Sequence, residues 1–89
     1  MIQLGEFLDA VYGSLIQITD DHWSIIMDVA GYSVVDEEVE LISKGDDSFT
    51  FPTEVTISHV TPTYDDEYYV ICSSDIDVKV YVYYDAEDF

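Results

Sequence analysis

Apolar residues at the start of the chain recur with the spacing of an amphipathic helix. They fall at positions i, i+3, i+4, i+7 and i+11 of one stripe: Leu4, Phe7, Leu8, Val11 and Leu15. Glu6 lies in the first turns, where a negative charge interacts favourably with the helix dipole. Gly13 supplies a stop signal. The pattern predicts a helix over about residues 3–13.

The rest of the chain has the period-two alternation and the turn residues that are typical of β-strands. The last strand is the clearest, because Val78, Val80 and Val82 alternate with polar residues and tyrosines. Pro52 requires an edge position or a bulge, since proline has no N–H to donate. We predict strands over about residues 15–19, 24–30, 38–43, 48–60, 67–73 and 76–84.

One helix followed by five to six short-looped strands predicts an α+β fold. In this architecture the helix packs on one face of a strongly bent antiparallel sheet, and the other face of the sheet is exposed, polar and acidic. The 89 residues leave no room for a second core, so we expect one domain over residues 1–89.

Net charge is the most unusual property of the sequence. Twenty Asp and Glu residues face only Lys44 and Lys79, which gives a formal net charge of −18. A hydrophobic content of 48% predicts a folded domain, which excludes a disordered acidic tail. A net charge of about 2 to 8 in magnitude is enough to keep a small domain soluble, so solubility alone does not explain a net charge this large.

Such a charge determines which partners can bind. Repulsion excludes direct binding to nucleic acid or to an anionic membrane, so we expect neither as a partner. The expected partner is a protein with a basic surface, and nucleic-acid-binding grooves are the commonest basic surfaces in a cell.

Residues that could support catalysis or metal binding are few. Cys72 is flanked by Val70 and Ile71, which predicts a structural cysteine buried in the sheet; a reactive thiolate also needs electropositive neighbours. His22 and His59 are too isolated to indicate a zinc site, and no acidic segment has the ligand spacing of a calcium loop. We expect no enzyme activity, no catalytic residues, no metal and no cofactor.

The single cysteine and the first residues of the sequence indicate in which cellular compartment we expect the protein. One cysteine allows no internal disulfide, which is typical of a reducing compartment. The first residues lack the basic region of a signal peptide, and no apolar run reaches the length of a membrane span. We expect a cytoplasmic protein of the host-cell cytosol.

The acidic residues occur in doublets and triplets, mostly in predicted turns and strand ends, and tyrosines accompany them. Carboxylates so placed can stand where phosphates stand in a basic groove, and exposed tyrosines stack on arginine. We predict that a partner is contacted by fifteen residues: Asp36, Glu37, Glu38, Glu40, Asp65, Asp66, Glu67, Tyr69, Asp75, Asp77, Tyr81, Tyr83, Asp85, Glu87 and Asp88.

These acid clusters on a compact domain resemble, in kind, the small acidic inhibitors that phages direct against host nucleic-acid enzymes. That class includes anti-CRISPR, antirestriction and glycosylase-inhibitor proteins. The resemblance implies DNA mimicry, in which the protein occupies the DNA-binding groove of a CRISPR effector, a restriction enzyme or a repair enzyme. The C-terminal residues Asp85 to Phe89 also resemble the acidic, Phe-terminated tails of single-stranded-DNA-binding proteins.

Two other interpretations use the same charge. An immunity protein or antitoxin would neutralise a basic nuclease toxin by the same electrostatics, and a toxin gene beside this one would favour it. A salt-adapted protein would be acidic for solubility alone, which fits poorly with eight tyrosines.

The crowded carboxylates predict how stability depends on salt. Their mutual repulsion destabilises the compact state, and mobile ions screen that repulsion. We expect the melting temperature at pH 7.5 to rise between low and high sodium chloride concentration. Thermal unfolding followed by circular dichroism measures this, and a melting temperature that is flat or falls with salt contradicts the crowding argument.

Overall fold

The structure is a computed structural model that describes residues 1–45, 47–63 and 66–83. Within these ranges it contains one short helix and seven strands. In chain order they are α1 (Leu4–Val11), β1 (Leu15–Thr19), β2 (Ser24–Val35), β3 (Glu38–Ser43), β4 (Ser48–Pro52), β5 (Thr56–Val60), β6 (Tyr68–Cys72) and β7 (Asp77–Tyr83). Among the described residues, no helix has the length and apolarity needed to cross a bilayer.

Helix α1 is shorter at both ends than the predicted 3–13. It buries Phe7, Leu8 and Val11 on one side, as the apolar spacing predicts. The helix ends before Gly13 because Tyr12 takes an extended backbone, with ψ of 127°. Gly13 then adopts a φ of +75°, which glycine tolerates, and its N–H donates to the carbonyl of Val29 at 2.9 Å.

All seven strands pair in one antiparallel sheet that is not closed, in the order β4-β3-β2-β1-β7-β6-β5. The α+β class is therefore confirmed, but the predicted number of five to six strands is too low. The predicted strand over 48–60 is two strands, because Pro52 ends β4 and residues 53–55 lead into β5. Since β4 and β5 occupy opposite edges of the sheet, this break separates two parts of it, here called wings: one wing is β3, β4 and the second half of β2, and the other is β1, β7, β6, β5 and the first half of β2.

Strand β2 links the two wings and is longer than predicted. Its first residues, 24–28, pair with β1, whereas residues from Val29 onward pair with β3 on the other side. The register shifts between Val29 and Gly31, as it does at a β-bulge. The predicted end at residue 30 is instead the position of this register shift, just after β2 changes partner, and a bulge there bends the strand.

The core lies where the two wings meet. Phe7 of α1 is fully buried, and its ring centroid lies 6.1 Å from that of Phe51 in β4 and 5.4 Å from that of Tyr69 in β6. Both contacts are edge-to-face, a favourable geometry for aromatic pairs. Strand residues complete the same buried cluster: Ile16, Ile18, Met27, Val29, Val39, Leu41, Ile57, Ile71, Val78 and Val80.

The turn between β2 and β3 has an unusual backbone. Val35 pairs with Glu38, so Asp36 and Glu37 form a two-residue loop, and both have positive φ, 53° and 66°. Such loops favour Asn-Gly, because the left-handed region brings Cβ too close to the following carbonyl oxygen; glycine has no Cβ, and Asn and Asp tolerate the region better than other residues. Residue Thr53 holds the loop from outside by donating its N–H to the Glu37 carbonyl at 2.9 Å.

Relieving this turn should stabilise the protein. We expect Asp36→Asn combined with Glu37→Gly to raise the free energy of unfolding by about 1 kcal/mol, since glycine adopts positive φ without a steric penalty. Urea denaturation measures the change. The matched control is Asp36→Asn with Glu37→Gln, which removes the same two charges but keeps a side chain at position 37. Equal stabilisation by both variants would attribute the gain to charge and not to the backbone.

Candidate partner-binding surface

The sheet face that points away from the core, here called the outer face, is defined most clearly on β7. Val78 and Val80 are buried, while Asp77 and Lys79 are exposed and Tyr81 is half-buried. The register places Thr19 of β1 opposite Lys79 and Gln17 opposite Tyr81. On β1 and β7 the outer face is therefore mostly polar and aromatic, with Asp77 at the start of β7. The sequence predicts an exposed, polar and acidic face, and on these two strands Asp77 stands beside Lys79 and tyrosines.

Two shallow grooves, of about 480 and 660 Å³, cross the outer face and share Lys79 and Tyr81. We call them together the trough. The β1–β2 turn and the start of β7 line one half, with Thr19, Asp20, Asp21, His22 and Asp77. The end of β5, the loop after it and the start of β6 line the other half, with Val60, Thr61, Pro62, Asp66 and Tyr68.

An aromatic and cationic cluster forms the floor of the trough. The Nζ atom of Lys79 lies 5.3 Å from the centroid of the Tyr68 ring, within range of a cation–π interaction. The rings of Tyr68 and Tyr81 are 5.3 Å apart. Beside the trough, the Tyr83 hydroxyl donates to Oε1 of Gln17 at 2.8 Å. These contacts fix the tyrosine rings against the sheet, which leaves a rigid contact surface.

Hydrogen bonds within the β1–β2 turn fix the acidic end of the trough. Oδ1 of Asp20 accepts the backbone N–H groups of His22, at 2.6 Å, and Trp23, at 3.0 Å. The Thr19 hydroxyl donates to the Trp23 carbonyl at 3.2 Å. Asp21 is exposed at the tip. Neither Asp20 nor Asp21 is among the fifteen predicted residues, although their doublet is visible in the sequence.

The structure divides those predicted residues that it describes among separate surfaces. Asp66, Asp77 and Tyr81 lie in the trough. Glu67, Tyr69 and Tyr83 line a neighbouring cleft of about 450 Å³ beside Ala10 of α1, which Asp66 and Tyr81 also line. Asp75 is exposed in the β6–β7 turn, where its N–H donates to Oγ of Ser73.

A second group lies on the other wing, beyond β1 and β2. Glu38 and Glu40 line a shallow groove on β3, and Asp36 and Glu37 form the turn before it. The remaining predictions, Asp65, Asp85, Glu87 and Asp88, fall outside the described residues.

Tyr69 faces the core side of β6, in contrast to Tyr68. Its ring is half-buried between Phe7 and His59, and it stacks on His59 with centroids 4.6 Å apart. Nε2 of His59 lies 3.4 Å from Oε2 of Glu67. Burial, followed by the negative charges of Glu67 and Glu6, raises the pKa of the Tyr69 hydroxyl.

Cys72 is exposed, so the prediction of a buried structural cysteine is wrong. Side chains alternate between faces along a strand, and Ile71 takes the buried position on β6. The apolar neighbour Ile71 therefore faces the core, whereas Cys72 faces the opposite side of the sheet. The described residues contain no group of three or more His, Cys, Asp or Glu side chains that could hold a metal ion.

Comparison with protein-family models, with curated proteins and with solved structures finds no match.

The Tyr69 environment predicts a loss of stability at alkaline pH. The folded state raises the pKa of this hydroxyl above its unfolded value, so folding is favoured while the group is protonated. The contribution is complete below the unfolded pKa of about 10 and is lost as pH rises through the folded value. Tyr69→Phe has no proton to lose, so its stability should fall less steeply above that pH.

Urea denaturation of both proteins between neutral and strongly alkaline pH measures the two slopes. Parallel curves for the native protein and Tyr69→Phe would contradict the assignment.

Proposed function

We propose that this protein is a phage-type inhibitor that binds the basic nucleic-acid-binding groove of a host defence or nucleic-acid enzyme and blocks DNA binding by mimicry. A CRISPR-Cas effector is the first candidate target, and restriction and repair enzymes are the others. The observation that carries the proposal is a net charge of −18 on a folded domain of 89 residues.

Internal pairing leaves most of this charge directed at solvent. Two lysines in the whole sequence can neutralise only a small part of twenty carboxylates. Within the described ranges the ion pairs are Lys44 with Asp28, at 3.5 Å, and His59 with Glu67, at 3.4 Å. The electrostatic field of a negatively charged protein attracts a basic surface and repels nucleic acid.

The position of the carboxylates also supports mimicry. Many of the carboxylates in the described residues stand at strand ends and in turns, including Asp20 and Asp21 after β1 and Asp36 and Glu37 after β2. Strand β2 holds these two turns at its opposite ends, and its 12 residues would span about 40 Å if the strand were straight, since each residue adds about 3.3 Å. Negative groups held at fixed separations on a rigid frame have the character of phosphates along a duplex, which a cationic groove can bind.

The backbone strain in the β2–β3 turn is consistent with a role for its charges. Positive φ opposes folding mainly at Glu37, since Asp tolerates this region better, and an Asn-Gly turn would reduce that strain. A sequence that keeps two carboxylates there gives up stability, which fits a surface retained for binding.

Capture followed by competition tests the proposal. Immobilised protein is incubated with host lysate at low salt, eluted with a sodium chloride gradient, and the eluted proteins are identified by mass spectrometry. We expect a nucleic-acid-binding protein that elutes with rising salt, because screening weakens a charge-driven complex. In a gel-shift assay, stoichiometric amounts of this protein should then displace DNA from the captured partner.

Two results would overturn the proposal. One is a complex that persists undiminished in molar sodium chloride, and the other is a captured partner that binds DNA and this protein simultaneously. A captured nuclease toxin that loses activity on binding would instead indicate the immunity function.

A further inference from the structure

The trough on the outer face has a feature that net charge alone does not explain. One of the two lysines of the chain, Lys79, lies at its centre, in a protein that otherwise presents carboxylates. Asp21 and Asp77 flank the lysine toward one end, and Asp66 flanks it toward the other. From one end to the other, the charge is negative, positive and negative.

The pairing register of strands β1, β7, β6 and β5 gives the length of the trough over which these charges are arranged. Thr19 pairs with Lys79, Lys79 with Val70, and the next strand, β5, ends at Val60 beside Tyr68. Thr19 and Val60 are therefore three strand spacings and two residues apart, a diagonal of about 16 Å. This length matches about three turns of an α-helix, whose diameter with side chains is about 10 to 12 Å.

The backbone of the trough favours a helical occupant. Its floor is formed by β7 and β6, which are interior strands whose hydrogen-bonding groups are already used by their neighbours. An extended peptide laid across them would leave its own N–H and C=O groups without partners, whereas a helix satisfies these groups internally. The major groove of DNA admits a helix in the same way.

We propose that the trough binds an α-helix of the target that carries cationic side chains at both ends and none in the middle. This inference rests on the proposed function and names the surface and the partner chemistry. The end cations would meet the carboxylates of Asp21 and Asp77 on one side and of Asp66 on the other. An apolar or amide side chain would lie against Tyr81 in the middle, where Lys79 repels a further cation.

Three synthetic peptides of about 16 residues test the pattern. They share one composition of alanine, arginine, glutamine and a single proline. The first has arginines at both ends and the proline at its first helical position. The second is an equally helical peptide with the arginines in the middle, and the third resembles the first but has its proline at the centre, which breaks the helix. We expect the first to bind at least about tenfold more tightly than the other two in low salt by isothermal titration calorimetry.

Variants of the protein locate the binding surface. Lys79→Gln should remove most of the difference between the first and second peptides, while Lys44→Gln, which changes the net charge equally, should leave it intact. Asp21→Asn with Asp77→Asn should weaken the first peptide about tenfold. Glu38→Gln with Glu40→Gln makes the same change in charge on the other wing and should weaken it far less. Thermal unfolding of each variant verifies that it is folded.

Equal binding of the three peptides, no measurable binding of the first, or equal effects of the two acidic double variants would overturn the helix-in-trough inference. Those outcomes concern this surface alone. The DNA-competition experiment with the captured partner would still decide the proposed function, so the two failures are distinguishable.

Discussion

The burial of one aromatic side chain is the contact on which the arrangement of the sheet depends. Phe7 touches Phe51 near one edge of the sheet and Tyr69 near the other, and it is fully removed from water. A flat sheet of this order would hold β4 and β6 five strand spacings apart, or about 24 Å. Both can reach one ring only because the sheet bends, and the shift of partners along β2 provides the bend.

This curvature separates the molecule into two chemical regions. The apolar side chains converge on the inside, where burial supplies the stabilisation that must outweigh the repulsion between carboxylates. No helix or strand within residues 1–45, 47–63 and 66–83 covers the outer face, and tyrosines and Lys79 lie on it. Charge is thus concentrated at the ends of strands, where neighbouring carboxylates can be solvated.

Local patterns in the sequence were sufficient to predict the helix, the α+β class and the general position of most strands. They failed where a feature depends on strand pairing. On β6 the run Tyr68-Tyr69-Val70-Ile71 is apolar or aromatic throughout, so the sequence does not indicate which tyrosine faces outward. The prediction chose Tyr69, whereas it is Tyr68 that lies in the trough. The sequence likewise does not indicate that Asp20 and Asp21 lie in the same groove as Asp77, because no local pattern shows that β1 pairs with β7.

The pairing of β1 with β7 also has a consequence for how the protein is made. Thr19 lies beside Lys79, although sixty positions of chain separate them, and β7 is an interior strand of the finished sheet. On the ribosome, β1 can form a hairpin with β2 early, but its other edge stays open until β7 has been synthesised. Contacts of such high sequence separation form slowly, so the nascent chain carries an unprotected edge through most of its translation. The dense negative charge repels nascent copies from one another and so opposes pairing between their open edges.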